Sequence, residues 1–209
     1  MVQPDRRLLM FNLMTDINDP VLGFTTAWIR ELATHYSAID VITMYQGELD
    51  VPDNVRVFSA GRERGLSKPL RVLQFYRHLI PLLVREHYDA CFAHMMPLFA
   101  ALAGPLLWLR GIRTILWYTH RQKSTQLKLG MHMSWRVVSA VSTSFPYNTP
   151  KLRVIGHGIN TDFYAPNPDS HPPNHIETSP TVIQVARLAA IKHQETTIKA
   201  VATSDVHVI

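Results

Sequence analysis

Hydrophobic residues recur with two different periods along the first sixty residues. Residues 7–14 form a short apolar run without helical spacing, which is typical of a buried strand. After a loop at 15–22, apolar positions in residues 23–36 recur every three or four residues and predict a helix. Two short β-branched runs, at 39–45 and 54–58, predict further strands. This order of strand, loop, helix and strands is typical of a parallel sheet.

The same alternation continues to about residue 155. A long amphipathic helix is predicted at 68–87, with a kink or break at Pro81, because the missing N–H of proline leaves a carbonyl unpaired. The later predicted elements are strands at 88–94, 113–120, 139–145 and 152–155 and helices at 97–110 and 125–138. Nearly continuous apolar strands that alternate with helices predict an α/β fold, a doubly wound, mainly parallel, Rossmann-like sheet covered on both faces.

A proline-rich segment divides the chain. Residues 165–180 contain five prolines in sixteen positions and sustain neither period, which predicts an exposed linker. Residues 181–209 then predict a strand, a loop, a helix and the beginning of another strand. Since so short a unit cannot bury both faces of its sheet, we expect an incomplete second Rossmann-like domain. The predicted domains are therefore 1–164 and 181–209, joined by the linker.

Composition limits the classes of function. The net charge of +5 and the pI of about 9.5 favour an anionic partner, which is a nucleic acid, an anionic lipid headgroup or a phosphorylated substrate. The single Cys91 excludes an intramolecular disulfide, and the chain opens without a secretory leader, so a reducing cytoplasmic location is expected. The longest apolar run, 95–109, is interrupted by prolines and is shorter than the ~20 residues of a membrane-spanning helix.

Several motifs are missing from the sequence. It contains no Walker motif, no clustered Cys or His ligands, no G-x-S-x-G and no G-x-G-x-x-G. The last absence argues against a dinucleotide oxidoreductase on a similar sheet. The cations are also not interleaved with aromatic residues as in a nucleic-acid recognition module, so no nucleic-acid partner is expected.

The stretch VIGHGINTDFYAP at 154–166 resembles a segment of a known enzyme family. It is similar to the segment V-I-P-N-G-V-D-T-x-x-F-x-P through which family 4 glycosyltransferases, retaining enzymes of the GT-B architecture, cross between their two domains. The resemblance implies that Gly158 allows a turn of the backbone beside the substrate cleft. His157 and Asn160 depart from the family pattern, where Asn and Asp are usual.

A second stretch, VARLAAIKHQETTIKAVA, resembles the family pattern V-G-R-L-x-x-x-K-G-x-x-x-L-I-x-A. In that family the Arg and Lys hold the pyrophosphate of the donor, which implies this role for Arg187 and Lys192. Arg187 ends a predicted strand and Lys192 opens the next helix, so both cations and the helix N-terminal amides could converge on one anion. The alternative is that both are solvated surface charges.

Three further positions lie where strands meet loops. Gly23 follows the first strand and is either a substrate contact or a simple turn residue, and Thr25 or Thr26 could cap the helix. His120 and His94 close two apolar strands, and the carboxyl edge of a parallel sheet is where ligands bind. The resemblance implies that His120 is a candidate catalytic residue that positions the reacting sugar, with His94 and Thr25 as candidate substrate contacts.

The resemblance implies a retaining glycosyltransferase that uses a nucleotide-diphosphate sugar and no cofactor or metal. The acceptor would be a glycan or lipid-linked molecule, in polysaccharide or glycolipid biosynthesis, and the enzyme would work in the cytoplasm, where it could contact the inner face of the membrane. The pair of glutamates that grips the donor in this family is expected beyond residue 209, so this chain alone should have little transferase activity.

The alternative is a non-catalytic α/β binding module that docks on an anionic membrane or partner surface. Its candidate surface consists of basic residues near three tryptophans. These are Arg62, Arg64, Lys68, Arg71, Arg77 and Arg85, with Trp108, Trp117 and Trp135. The competing explanation for them is a solvated helix face next to core aromatic residues.

Overall fold

The chain divides into two compact units, Met1–His157 and Gly158–Ile209. The computed structural model describes residues 6–158, 161–162, 165, 181–186, 188, 192–202 and 207–208. Arg187, Asn160 and all of the predicted linker except residue 165 lie outside these ranges. The domain bounds predicted at 164 and 181 remain predictions.

The first unit is built on a seven-stranded sheet. Its strands are β1 (Arg7–Thr15), β2 (Ala38–Gln46), β3 (Val55–Ser59), β4 (Ala90–His94), β5 (Arg113–Trp117), β6 (Arg136–Ser139) and β7 (Leu152–Val154). Their order is β3-β2-β1-β4-β5-β6-β7, and all six neighbouring pairs are parallel. The predicted α/β, doubly wound, Rossmann-like fold is confirmed.

Helices cover both faces of this sheet. They are α1 (Phe24–Ala33), α2 (Lys68–Arg85), α3 (Pro97–Leu109) and α4 (Thr125–Met133). Alternate residues of β1 face opposite sides of the sheet. Leu8 and Met10 pack with Ile29 of α1, whereas Leu9 and Phe11 belong to the larger core that α2, α3 and α4 close. The sheet is therefore buried on the two sides by different helices, as its near-continuous apolar strands predict.

Three details of the prediction were wrong. The break predicted at Pro81 is absent, since α2 is one helix from Lys68 to Arg85, whereas the alternative, a kink at Pro81, remains a prediction. The helix predicted at 125–138 ends at Met133, because Ser134 closes it with both its N–H and its hydroxyl on the Gly130 carbonyl. The strand predicted at 139–145 is instead a 3-10 turn at Ser142–Ser144, and β6 lies before it.

The described part of the second unit forms a small βαβ arrangement. Two short strands, β8 (Thr181–Val182) and β9 (His207–Val208), pair in parallel. Between them in sequence lies helix α5 (Gln194–Val201). The predicted succession of strand, loop, helix and strand is confirmed here.

Candidate functional site

A cleft of about 470 Å³ lies in the first unit, at the carboxyl edge of the sheet. Strand ends and the segments that follow them supply its walls. The lining residues are Leu13, Met44, Arg62, Arg71, Met95, Met96, Pro97, Leu98, Tyr118, His120, Gln122, Ser124 and Gln126. Among these lining residues there are two arginines and a histidine but no Asp or Glu, so the cleft is suited to an anionic or polyhydroxylated ligand.

Strand order explains why a cleft forms at this place. The chain winds outwards from β1 in one direction through β2 and β3, and in the other through β4 to β7. The connections therefore diverge at β1 and β4 and leave a crevice at the carboxyl ends, which is where open α/β sheets bind ligands. The helices α3 and α4 both begin at this edge, since Pro97 and Ser124 line the cleft.

His120 faces this cleft from a loop and not from a strand end. Strand β5 ends at Trp117, so the prediction that His120 closes the strand was wrong by three residues. The imidazole is exposed, and its Nδ1 accepts a hydrogen bond from the backbone N–H of Gln122 at 3.0 Å. A nitrogen that accepts carries no proton, so neutral His120 presents a donor N–H at Nε2. Tyr118 holds the same loop through the Gln122 carbonyl, at 3.2 Å.

Met95 shapes the middle of the cleft. Its φ of 51° lies in the left-handed region, which is uncommon for a residue other than glycine and costs about 1–2 kcal/mol. Its N–H bonds to the Trp117 carbonyl at 2.9 Å, and its sulfur accepts from the N–H of Thr119 at 3.4 Å. The strained turn thus ties the end of β4 to the loop that carries His120. Strain of this kind concentrates at functional sites.

Arg62 and Arg71 approach the cleft from a loop and a helix, and both touch Met44. The N–H of Arg62 bonds to the Met44 carbonyl at 3.2 Å, and Nη1 of Arg71 lies 3.6 Å from the Met44 sulfur. Sequence analysis had grouped the two arginines with a basic surface and missed this site. The signal was present, because Arg62 follows the end of β3 as closely as His120 follows the end of β5.

His94 lies at the end of β4, as predicted, but its side chain is only 1% exposed. Its Nδ1 lies 3.1 Å from Oδ1 of Asn12, and its Nε2 is buried without a hydrogen-bond partner in the described structure. The rings of Phe24 and Trp28 contact it. Burial lowers the pKa of His94 to about 4, so the imidazole is neutral at physiological pH. A substrate contact by His94 remains a prediction.

Gly23 and Thr25 have structural partners at the start of α1. A Cβ added to Gly23 would lie 2.6 Å from the carbonyl oxygen of Asp19 and 2.8 Å from that of Ile17. Gly23 itself is the N-cap, so the prediction that Thr25 or Thr26 caps the helix was wrong. The buried Thr25 hydroxyl instead donates to the Met14 carbonyl at 2.9 Å. Their proposed substrate contacts remain predictions.

Of the two cations predicted to hold the pyrophosphate of the donor, the structure describes only Lys192, whose role remains a prediction. Lys192 is exposed, and its carbonyl accepts a hydrogen bond from Gln184 at 2.9 Å. Arg187 lies outside the described residues. Gly158 is exposed, and a Cβ added to it would meet nothing within 4 Å. The left-handed glycine of this segment is Gly156, with φ of 76°, and the turn that the resemblance implies at Gly158 remains a prediction.

A separate exposed aromatic surface lies on the first unit. Trp108 is 80% exposed, while Trp135 is 45% exposed and is flanked by Arg113 and Arg136 at 5.1 and 4.7 Å. Trp117, which was predicted to accompany them, is buried against Trp28. None of the helices in the described part of the chain combines the length and the hydropathy of a membrane-spanning helix. In the same part of the chain, no group of His, Cys, Asp or Glu residues could hold a metal ion.

Neither the protein-family models nor the curated proteins include a match to this sequence. Solved structures do match it. Anabaena HepE in complex with UDP aligns with a TM-score of 0.62 and 13% identity over 97% of this chain and 59% of that one. The lipopolysaccharide outer core galactosyltransferase WaaB aligns at 0.66 and 9% identity, over 97% and 60%. A UDP-N-acetylglucosamine 2-epimerase aligns at 0.56 and 11% identity, over 98% and 63%.

The chain spans about 60% of the length of these structures. At such low identities the likeness concerns the fold alone. The chain therefore has the GT-B type of α/β fold that the matched glycosyltransferases share.

Proposed function

We propose that the chain is part of a family 4 glycosyltransferase, which transfers a sugar with retention from a nucleotide-diphosphate sugar to a glycan or lipid-linked acceptor. Residues 1–164 would form the acceptor-side domain and residues 181–209 the start of the donor-side domain. The observation that carries the proposal is the carboxyl-edge cleft, in which His120, Arg62 and Arg71 lie together without an acidic neighbour among the lining residues.

The matched structures support a nucleotide sugar as the donor. HepE is described in complexes with UDP and with UDP-glucose, and WaaB is a galactosyltransferase. The epimerase shares the fold, so the fold is compatible with more than one reaction. The two sequence motifs favour transfer, because they follow the glycosyltransferase pattern through Gly158, Arg187 and Lys192.

The difficult step of this reaction is the departure of the nucleoside diphosphate. In our proposal, Arg187 and Lys192 neutralise the negative charge that grows on its phosphate oxygens, while the acceptor hydroxyl attacks from the same face of the sugar. His120 offers a hydrogen bond from Nε2–H to a sugar or acceptor oxygen and so positions the reacting groups. None of these roles requires a bound metal.

An assay of the 209-residue chain with labelled UDP- and GDP-sugars tests the proposal. Residues 1–209 contain no pair of glutamates with the family spacing, so the chain alone should release or transfer little sugar. A fusion of this chain to a family 4 donor-side domain that carries those glutamates should transfer sugar with retained anomeric configuration, and His120→Ala should then slow the transfer. Formation of an epimerised nucleotide sugar by the fusion, without transfer to any acceptor, would contradict the proposal.

One observation supports a second candidate, a protein that docks on an anionic membrane. Trp108 and Leu109 are 80% and 72% exposed at the end of α3. Arg113 and Arg136 lie beside the neighbouring aromatic, Trp135. Tryptophans together with cations are typical of surfaces that lie at a membrane interface. This property is also compatible with a transferase that acts on a lipid-linked acceptor.

A further inference from the structure

We propose that Arg62 and Arg71 form a binding site for a phosphoryl group on the acceptor. The acceptor would then be a phosphorylated molecule and not a neutral glycan. The presence of an anion site follows from the geometry of the cleft, whereas its assignment to the acceptor rests on the proposed function.

Arg71 has unused hydrogen-bonding capacity inside the cleft. It lies in the first turn of α2 and is half-buried, and its only side-chain contact of hydrogen-bond type in the described structure is with the Met44 sulfur. Its Nε is buried without a partner. A buried guanidinium donor that lacks an acceptor costs free energy, because it has lost its water. An oxyanion in the cleft would remove that cost.

Arg62 is held beside Arg71 by a tightly folded loop. The loop needs glycine at two positions, Gly61 with φ of 92° and Gly65 with φ of 69°. Backbone bonds from Gly65 to Arg62 and from Leu66 to Gly61 close it, at 3.1 and 3.2 Å. The backbone of Arg62 is therefore fixed at the end of β2, through Met44, while its exposed guanidinium has no carboxylate partner in the described structure.

Some arginines of this unit already have carboxylate partners. Arg7 and Arg56 pair with Glu86, Arg30 pairs with Asp50, and Arg64 pairs with Glu63. Arg62 and Arg71, like several other arginines of the unit, form no ion pair in the described structure, and these two line the same cleft. Two forked guanidinium groups with ten N–H donors between them match the oxygens of a phosphate better than the hydroxyls of a neutral sugar.

The remaining walls indicate the kind of molecule that carries the phosphate. Leu13, Met95 and Leu98 provide apolar surface next to the arginines. Methionine adapts its shape to different apolar groups. Two acceptors combine these features: a soluble sugar phosphate, whose ring would stack on the apolar wall, and a lipid-linked diphosphate, whose first isoprenoid unit would lie there.

Calorimetry with inorganic pyrophosphate, glucose 1-phosphate and farnesyl diphosphate tests the site, with farnesol and methyl glucoside as neutral partners. We expect the phosphorylated probes to bind and the neutral ones not to bind. Arg62→Ala, and separately Arg71→Ala, should each weaken binding by about tenfold. Arg71→Lys keeps the charge without the fork and should weaken it less. Tighter binding of farnesyl diphosphate would identify the lipid-linked class, and tighter binding of glucose 1-phosphate the soluble one.

Arg64→Ala is the matched control, since it removes the same charge from the same loop but lies outside the cleft lining and is paired with Glu63. Equal weakening by Arg64→Ala, or no binding of any phosphorylated probe, would overturn the inference. Arg62 is exposed, so its alanine variant should fold even if the Arg71 variant does not.

Lys192→Ala separates this inference from the proposed function. If Lys192→Ala loses pyrophosphate binding while Arg62→Ala and Arg71→Ala keep it, the anion binds in the second unit. That result would overturn the cleft site and leave the transferase proposal intact. Pyrophosphate binding that depends on Arg62 and Arg71, in a chain that binds no nucleotide, would retain the anion site and remove the transferase proposal.

Discussion

His94 and Asn12 form a buried polar pair, with Nδ1 of the histidine 3.1 Å from Oδ1 of the asparagine. Both side chains are 1% exposed or less. The amide of Asn12 also donates to the Thr15 and Thr25 hydroxyls, at 3.0 and 3.2 Å. The pair therefore joins β1, β4 and the start of α1 immediately beneath the carboxyl edge of the sheet.

Acid should destabilise the first unit through His94. Burial lowers its pKa from the usual 6.5 to about 4, so between these values the unfolded chain binds a proton that the folded chain does not. The free energy of unfolding should then fall as the pH falls, by about 1.5 kcal/mol between pH 6.5 and pH 5. Urea unfolding at each pH measures this free energy. It can be followed by the fluorescence of Trp28, which contacts His94, and of Trp117, which contacts Trp28.

His94→Gln should abolish this part of the acid sensitivity, whereas His87→Gln, at an exposed histidine, should not. An equal loss of stability in acid for the wild-type chain and the His94 variant would show that another group is responsible.

Removal of the buried carboxylate of Asp40 should strongly reduce the free energy of unfolding. Its carboxylate is fully buried and accepts hydrogen bonds from Arg56 at 2.6 and 2.9 Å and from the Tyr88 hydroxyl at 2.6 Å. Burial and this bond raise the pKa of Tyr88 far above its usual value, so the hydroxyl stays protonated. Asp40→Ala leaves that buried hydroxyl without its acceptor and should cost about 3 kcal/mol.

Asp50→Ala is the comparison for Asp40→Ala. Asp50 pairs with Arg30, and both side chains are about half exposed, so its removal should cost less than about 1 kcal/mol. Midpoints of urea denaturation would measure both losses. Similar midpoints for the two variants would refute the role of the buried network.

Gly23 and Gly158 should respond differently to alanine. A Cβ at Gly23 meets two backbone oxygens, which cannot rotate away, so Gly23→Ala should cost about 1–3 kcal/mol. A Cβ at Gly158 meets nothing within 4 Å, and Gly158→Ala should be neutral within about 0.5 kcal/mol. Thermal melting compares the two variants. A Gly23 variant that melts like the wild type would remove the steric explanation and favour a substrate contact.

Trp108 should contribute to binding of anionic vesicles. The indole is largely exposed, and its transfer to a lipid interface would remove apolar area from water. In co-sedimentation with phosphatidylglycerol vesicles, Trp108→Ala should weaken binding by about tenfold. Leu73→Ala, at a 65% exposed residue on α2, should have little effect. The opposite ranking would move the membrane contact to the basic face of α2.

The fold could be predicted from the sequence because β1 to β5 are apolar runs, and helices that the sequence pattern identifies follow β1, β3 and β4. The region around β6 could not, because β6 has four residues and is defined by pairing with β5 and β7, not by a local pattern. The helix α4 ends where the Ser134 hydroxyl bonds to the Gly130 carbonyl. The sequence alone does not show whether a serine caps a helix or faces solvent.

The lining of the cleft could be anticipated from the sequence only in part, for a similar reason. His120 was selected because it follows an apolar strand, and it lines the cleft, while its role there remains a prediction. Arg62 and Arg71 were missed because strand order brings a loop after β3 and the start of α2 to the same edge as the loop after β5. That order depends on which strands pair, which the local sequence does not specify. Burial of His94 also depends on α1, whose Trp28 covers it.

Nucleotide binding by the 209-residue chain tests the central proposal most directly. Calorimetric titration with UDP, GDP and ADP should show a preference for one of them. Arg187→Ala and Lys192→Ala should each abolish that binding, whereas Lys199→Ala, which only removes an exposed pair with Glu195, should leave it unchanged. Binding of no nucleotide, or equal binding of all three that persists in the Arg187 variant, would contradict a donor site for a nucleotide sugar.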